Sequence, residues 1–424
     1  MPTEILGQVS DQPRSLLRGM SWSVLGQVTL AISQWGILLV LVKYLDLDSV
    51  GQFAYALALA GPLFAFSNLQ LSGILASDQS GEYAPSAYVM LRVLTSLLAF
   101  LSLFLLVMVG SLGPTLDRAL LLIGLIKLCE SASDLIYGFL QQHERIDQVG
   151  LLQTVRGGVA LVAAWCTVSL SYHLLPVLVV LLICQVLLTS LVDIRALRSQ
   201  FATPVALKAL NPLRAEWRVC RRLLSTAFPM GMVIGLNTLN INLPRYWIIA
   251  SLGDAAVGVY AALSYVMTGG NMAIGAIGQA AVPRLSRFYR SDRAGFHNLV
   301  ARLSIPAMAA GLAGIGVAIL AGTPLLTTLY NESFVPYYTT FVWVMIGSAI
   351  LYVSSIAGCA LTAARIFRPQ VWLTLLATMG TIISCGLLIP SQGLTGAAMA
   401  MVIGFSTKLI GQLTVLGVTS YRAH

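Results

Sequence analysis

The sequence predicts an all-α, polytopic membrane protein: twelve transmembrane helices in two pseudo-symmetric six-helix lobes around a central cavity. Three observations predict it. Of 424 residues, 57% are hydrophobic and only 10% charged, with a mean hydropathy of +0.84, whereas soluble domains carry about 25% charged residues. Apolar runs of about 20 residues, enough to cross a bilayer, recur along the chain. The chain also repeats itself. A shift of 207 residues lays Ser15-Leu16-Leu17-Arg18 on Arg222-Leu223-Leu224-Ser225, and Val50-Gly51-Gln52-Phe53-Ala54 on Val257-Gly258-Val259-Tyr260-Ala261. The matches fall at the starts of spans 1 and 7 and of spans 2 and 8. Repeats in the same orientation imply lobes related by an axis along the membrane normal.

In chain order the spans are 18–42, 50–76, 86–110, 118–142, 148–171 and 174–194, then 223–252, 255–283, 298–322, 338–363, 370–389 and 393–417. Turn chemistry separates them, at Asp46 to Asp48, Gly81 to Pro85, Gly113-Pro114, His143 to Asp147, Gly253-Asp254 and Pro390 to Gly393. Residues 1–194 form the first lobe and 223–424 the second. Between them, 195–222 is a basic connector whose Pro204 and Pro212 keep it from being one helix. It carries Arg195, Arg198, Lys208, Arg214, Arg218, Arg221 and Arg222 against the single acid Glu216.

The connector also orients the chain. An even number of spans puts both termini on one side. Besides the seven connector cations, that side holds Arg14, Arg18, Arg145, Arg284, Arg287, Arg290, Arg293, Arg365, Arg368 and Arg422, while the other holds only Lys43 and Arg118. The bias predicts that both termini are cytoplasmic. The same rule accounts for the formal charge of +9 without a nucleic-acid partner. The first twenty residues lack a signal-peptide pattern, so span 1 is expected to be an uncleaved anchor.

Other chemistries find little support. The six cysteines form no C-x-x-C pair, and the four histidines lie far apart, so neither a disulfide framework, a metal site nor a cofactor is expected. There is no Walker A motif. The outer connectors are short, the longest about 324–337, which leaves no room for the polar catalytic surface of a glycosyltransferase or ligase. The chain is not expected to be an enzyme.

What stands out is charge inside the spans: Arg92, Lys127, Arg156, Arg245, Arg302 and Lys408, with the acids Glu130 and Asp134. A charge at the bilayer centre costs about 2.5–3.5 kcal/mol on insertion scales, so each needs a partner or a purpose. On span 4, Lys127, Glu130, Asp134, Tyr137 and Gln141 fall within about 80° of arc at 100° per residue, a stripe that cannot face lipid. Two readings stand: a self-neutralising Lys127–Glu130 pair between helices, or the wall of a watery cavity with Glu130 or Asp134 binding a coupling cation. The stripe leaves one acid uncompensated, with Arg156 or Lys408 as its expected partner. Lys408 sits too deep to snorkel. Arg92 and Arg156 either snorkel or face inward, and Arg302, one turn in, snorkels. Arg245 follows Pro244, where local unwinding would aim the guanidinium into a cavity. Asn237, Asn240, Asn242, Asn271 and Gln279 are expected to hydrogen-bond between helices. With buried bases outnumbering acids, the cavity favours an anionic substrate, since guanidinium groups match phosphate oxygens bidentately.

An ordered set of stretches resembles the bacterial polysaccharide transporters, the Wzx-type lipid-linked oligosaccharide flippases of the multidrug/oligosaccharidyl-lipid/polysaccharide exporter superfamily. They are FSNLQLSGILASD (Phe66 to Asp78), Tyr88 with Arg92, ESASDLIYGFLQQHERID (Glu130 to Asp147), LPRYWIIASLGDAAVGVYAALSYV (Leu243 to Val266), GQAAVPRLSRFY (Gly278 to Tyr289) and GCALTAARIFRPQ (Gly358 to Gln370). The resemblance implies a substrate of undecaprenyl pyrophosphate carrying a sugar repeat unit. Pyrophosphate and sugars would cross through a cationic cavity while the polyprenyl tail stays among the membrane lipids. Arg92, Glu130, Asp134 and Arg245 lie within the matched stretches. The resemblance further implies a bacterial inner-membrane location, with a polysaccharide polymerase and a chain-length regulator as neighbours. One departure is Ser72, where many relatives carry Arg after NLQL. The lipid II branch carries arginines in spans 1, 2 and 8 that this chain lacks, so a lipid II role is not expected.

The expected substrate-binding residues are therefore Arg92, Arg156, Arg245, Lys408 and Lys127, with Glu130 and Asp134 as ion-coupling candidates. The expected function is a flippase working by alternating access, for O-antigen, capsule or exopolysaccharide biosynthesis. The alternatives are a MATE-like multidrug exporter, whose cationic substrates want an acidic, aromatic cavity, and a non-transporting component of envelope polysaccharide assembly.

Overall fold

The computed structural model describes residues 12–78, 81–110, 112–200 and 211–421; the expectations for Lys208, Pro204 and Arg422 lie outside them. All its regular elements are helical. The protein is a multi-pass membrane protein. Nine described segments are long and apolar enough to cross a bilayer. Two further helices, Pro114–Gln142 and Asp254–Ser291, have the length but are more polar, the first carrying the stripe of span 4 and the second Asn271 and Gln279. The segment Phe367–Tyr421 contains two spans, divided where Gly393 takes φ 58, a left-handed conformation open to glycine at little cost. The set is consistent with twelve crossings.

The turn chemistry works as the sequence predicts. Asp46 caps Leu47–Ser67 by accepting from the Ser49 amide at 3.1 Å, and Gly113 leads into Pro114 at the first position of its helix. One span is not continuous. Span 2, expected as 50–76, stops at Ser67 and resumes as the short helix Leu71–Ser77. Between them Leu69 and Gln70 have φ 50 and 53. No glycine or proline announces this break.

Span 1 (Gln12–Tyr44) lies along span 5 (Ile146–Ser171). A Cβ on Gly26 would stand 2.6 Å from the Gly150 carbonyl oxygen, the close backbone approach that small residues permit in membrane helices. Span 4 packs on spans 2, 3 and 6. In the second lobe, span 7 (Trp217–Leu252) packs on Phe367–Tyr421, and span 10 (Tyr338–Ala363) packs on spans 8 and 9. The lobes meet through spans 1 and 2 against spans 7 and 8.

The internal repeat lies in that interface. Val50, Ala54, Val257 and Ala261 are fully buried. A Cβ on Gly51 would come within 1.8 Å of the Asp254 carbonyl oxygen, and one on Gly258 within 2.6 Å of the Leu47 carbonyl oxygen. The Gln52 amide donates across the interface to Asp254 at 3.3 Å. The repeated Val-Gly motif thus seals the lobes together at the end that the charge bias assigns to the outside.

Candidate functional site: a polar chamber in the first lobe

Span 4 builds the chamber. Its stripe residues Lys127, Glu130, Asp134 and Tyr137 line a cavity of ≈ 370 Å³ together with Asn68 and Arg156. An adjoining cavity of ≈ 160 Å³ shares Leu30, Gln34, Lys127, Glu130 and Arg156 with it. The helical period therefore aims the stripe inward: Lys127 and Glu130 pair along their own helix, and the stripe lines a cavity.

The pairing differs from expectation in detail. Lys127 holds Glu130 at 2.6 Å. Asp134 is served by Arg92 at 2.7 Å, not by Arg156 or Lys408, and also accepts from Ser72 at 3.1 Å. Ser72, the departure from the family pattern, so reaches the same carboxylate as the arginine. Arg92 also donates to Asn68, which the break in span 2 turns toward it, and to Ser131 at 3.3 Å. Arg156 pairs with Asp193, donates to Ser133 at 2.8 Å, and lies over the Tyr137 ring with its guanidinium carbon 5.5 Å from the centroid.

Asp193 arrives by a local irregularity. Span 6 runs as α-helix from Leu174 to Leu187, then as π-helix over Leu188–Asp193. The wider turn, a form common at functional sites, delivers the carboxylate to Arg156. Neither Arg92 nor Arg156 snorkels; both are buried in protein. The expected excess of base over acid therefore does not hold around this chamber, because Asp193 makes the paired groups three cations and three carboxylates. The Glu130 and Asp134 side chains remain 37% and 42% exposed, whereas that of Asp193 is 2% exposed.

The second lobe is different. Its sequence from Trp217 on has only three acids, Asp254, Asp292 and Glu332, all at helix ends. Two of its in-span cations, the buried Arg245 and the half-buried Lys408, meet neutral groups. Arg245, 6% exposed, donates to Asn242 at 2.7 Å and Ser264 at 3.4 Å. Lys408 donates to Asn237 at 2.6 Å. The helix continues through Pro244, so the expected unwinding does not occur; the guanidinium is folded against its own helix and span 8. Neither Arg245 nor Lys408 lines the first-lobe chamber. Arg302 is exposed, as a snorkelling residue should be. Asn271 bonds across to Ser355 at 2.5 Å. Among the described residues no three His, Cys, Asp or Glu side chains gather where a metal ion could be held.

Sequence reasoning missed Asn68, Asp193 and Tyr265, the last a wall residue of the smaller cavity contributed by span 8. Asp193 carried a signal, a lone acid closing an apolar run, but its partner lies 37 positions away.

Residues 16–289 match the family described as polysaccharide biosynthesis protein. The chain belongs to this family. It is 22% identical over 396 residues to the capsular polysaccharide biosynthesis protein CapF of Staphylococcus aureus, covering 93% of this chain and 98% of that protein. Its fold is that of solved transporters. An inward-facing multidrug resistance MATE family transporter of the MOP superfamily superposes with TM-score 0.70 at 16% identity, over 93% of this chain and 96% of that one. The lipid II flippase MurJ, inward closed, superposes with TM-score 0.67 at 12% identity, over 95% and 87%. At those identities the superpositions establish the fold; the family match brings in polysaccharide biosynthesis.

Proposed function

We propose that the chain is a flippase moving undecaprenyl-pyrophosphate-linked oligosaccharide repeat units from the cytoplasmic to the outer leaflet of the bacterial inner membrane by alternating access. The lysine and arginine bias supports a cytoplasmic location for both termini. The observation that carries the reading is the charge asymmetry between the lobes. The chamber charges of the first lobe are neutralised pair by pair, whereas in the second the buried Arg245 and the half-buried Lys408 meet amides and a hydroxyl. An uncompensated buried cation is costly; an anionic headgroup in transit is the compensation this reading supplies. Low local dielectric then strengthens each phosphate contact. A cationic drug would need the opposite arrangement, a carboxylate free of intramolecular partners, yet Glu130, Asp134 and Asp193 each hold a cation.

In this scheme Lys127, Arg92 and Arg156 bind the headgroup by exchanging their carboxylates for phosphate. Glu130 and Asp134, so released, take up the coupling ion or proton. The sealed Val-Gly interface keeps the outer side shut while the chamber loads.

Deletion of the gene is expected to accumulate lipid-linked oligosaccharide on the cytoplasmic leaflet. Complementation with Arg245→Ala or Lys408→Ala chains, at parental abundance, should leave most of that accumulation in place. Normal leaflet distribution after deletion, with altered dye efflux, would favour the exporter instead.

A further inference from the structure

Tyr265 holds a position that neither the family match nor the charge pairs account for. It lines the ≈ 160 Å³ cavity beside Lys127, Glu130 and Arg156. It also lines a separate cavity of ≈ 310 Å³ between spans 1 and 8, walled by Trp35, Gly269, Gly270 and Tyr352 among others. Tyr265 is the one lining residue these two cavities share. Its ring also lies against Arg245, whose guanidinium carbon is 6.0 Å from the centroid. The ring therefore neighbours both the chamber cations and the buried arginine.

Arg245 is ligand-ready behind it. The residue is 6% exposed, its Nε has no hydrogen-bond partner, and its contacts with Asn242 and Ser264 involve neutral oxygens. Room for the ring to swing lies next to it. Gly269, one turn along the same helix, would meet nothing within 4 Å even with a Cβ added, and the spans 1–8 cavity opens on that side.

We infer that Tyr265 is a movable partition and that Arg245 behind it is a second phosphate-binding station, reached from the chamber when the ring rotates away. The ligand class is a phosphate or pyrophosphate group. As the headgroup of a lipid-linked sugar, that ligand rests on the flippase reading above; as an anion site behind an aromatic partition, the station does not. A headgroup held first by cations that already own carboxylates would move to a cation that owns none. The transfer is downhill in charge compensation and directed toward the sealed end.

The test uses the full chain with its six native cysteines replaced and Ser264→Cys as a reporter beside Arg245. Everted membrane vesicles are treated with an anionic methanethiosulfonate reagent, with and without inorganic pyrophosphate. With Tyr265 present, labelling should be slow, reflecting a minor open state. Tyr265→Ala, or Tyr265→Leu if the alanine variant folds poorly, should accelerate it about tenfold or more, the range expected when a minor conformer becomes the major one. Tyr265→Phe should stay slow, since the ring and not the hydroxyl is the barrier. Pyrophosphate should protect the opened reporter when Arg245 is present and not in Arg245→Gln. Equal labelling with and without the ring would overturn the partition, and protection that survives Arg245→Gln would overturn the station. Neither readout involves sugar transport, so a chain that passes both yet flips no lipid would sink the flippase reading alone.

Discussion

Asp193→Ala is expected to destabilise the protein by about 3–5 kcal/mol, the usual consequence of stripping one partner from a buried ion pair. The Arg156 side chain is 10% exposed, and without Asp193 its guanidinium would be left with Ser133 and the Tyr137 ring. Neither neutralises it. Thermal unfolding of the purified protein should show the midpoint falling by several degrees, with a matching loss of folded material in the membrane. Replacing both partners, as Arg156→Met with Asp193→Leu, should recover much of that loss, because well-packed apolar groups are often as stable as the pair they replace. A single variant as stable as the parent would mean that the pair does not form and that the π-turn serves some other end.

Gly51→Leu is the second large effect. A Cβ there would sit 1.8 Å from the Asp254 carbonyl oxygen, closer than any packing tolerates, and the obstacle is backbone that cannot rotate aside. Overpacking a core typically costs about 1–3 kcal/mol. Here the clash falls between lobes, so the strain can be relieved by prising them apart. A cysteine placed at Val257, fully buried in the parent, should become reactive to impermeant thiol reagents added from outside. It should remain silent in a chain that keeps Gly51. A Gly51→Leu protein with parental stability and a silent Val257→Cys would show that the repeat motif does not form the outer seal.

These two expectations differ in how far the sequence could foresee them. The Val-Gly repeat was visible as self-similarity, and symmetry requires equivalent motifs to occupy equivalent places; that they meet each other only coordinates show. Span limits and turns were legible because apolar run length and Gly, Pro and Asp chemistry are local properties. The stripe on span 4 was legible for the same reason, since a helical period needs only one helix. Pairing was not. Arg92 meets Asp134 across 42 positions, and nothing local prefers that partner over Arg156 or Lys408. The break after Ser67 was hidden because Leu69 and Gln70, not glycine, adopt the left-handed conformation. Such strain persists where surrounding contacts enforce it, here in the turn that brings Asn68 to Arg92. Tyr265 was hidden because an aromatic residue in an apolar span looks like core until the cavities on its two sides are seen.

If the chain is a flippase, purified protein in proteoliposomes moves a polyprenyl-pyrophosphoryl oligosaccharide between leaflets, read as the fraction open to an added membrane-impermeant glycosidase over time. The parent should turn over the labelled lipid, and Arg245→Ala should do so several-fold more slowly at equal incorporation. Parent vesicles no faster than protein-free ones, together with uptake of a cationic dye, would contradict it.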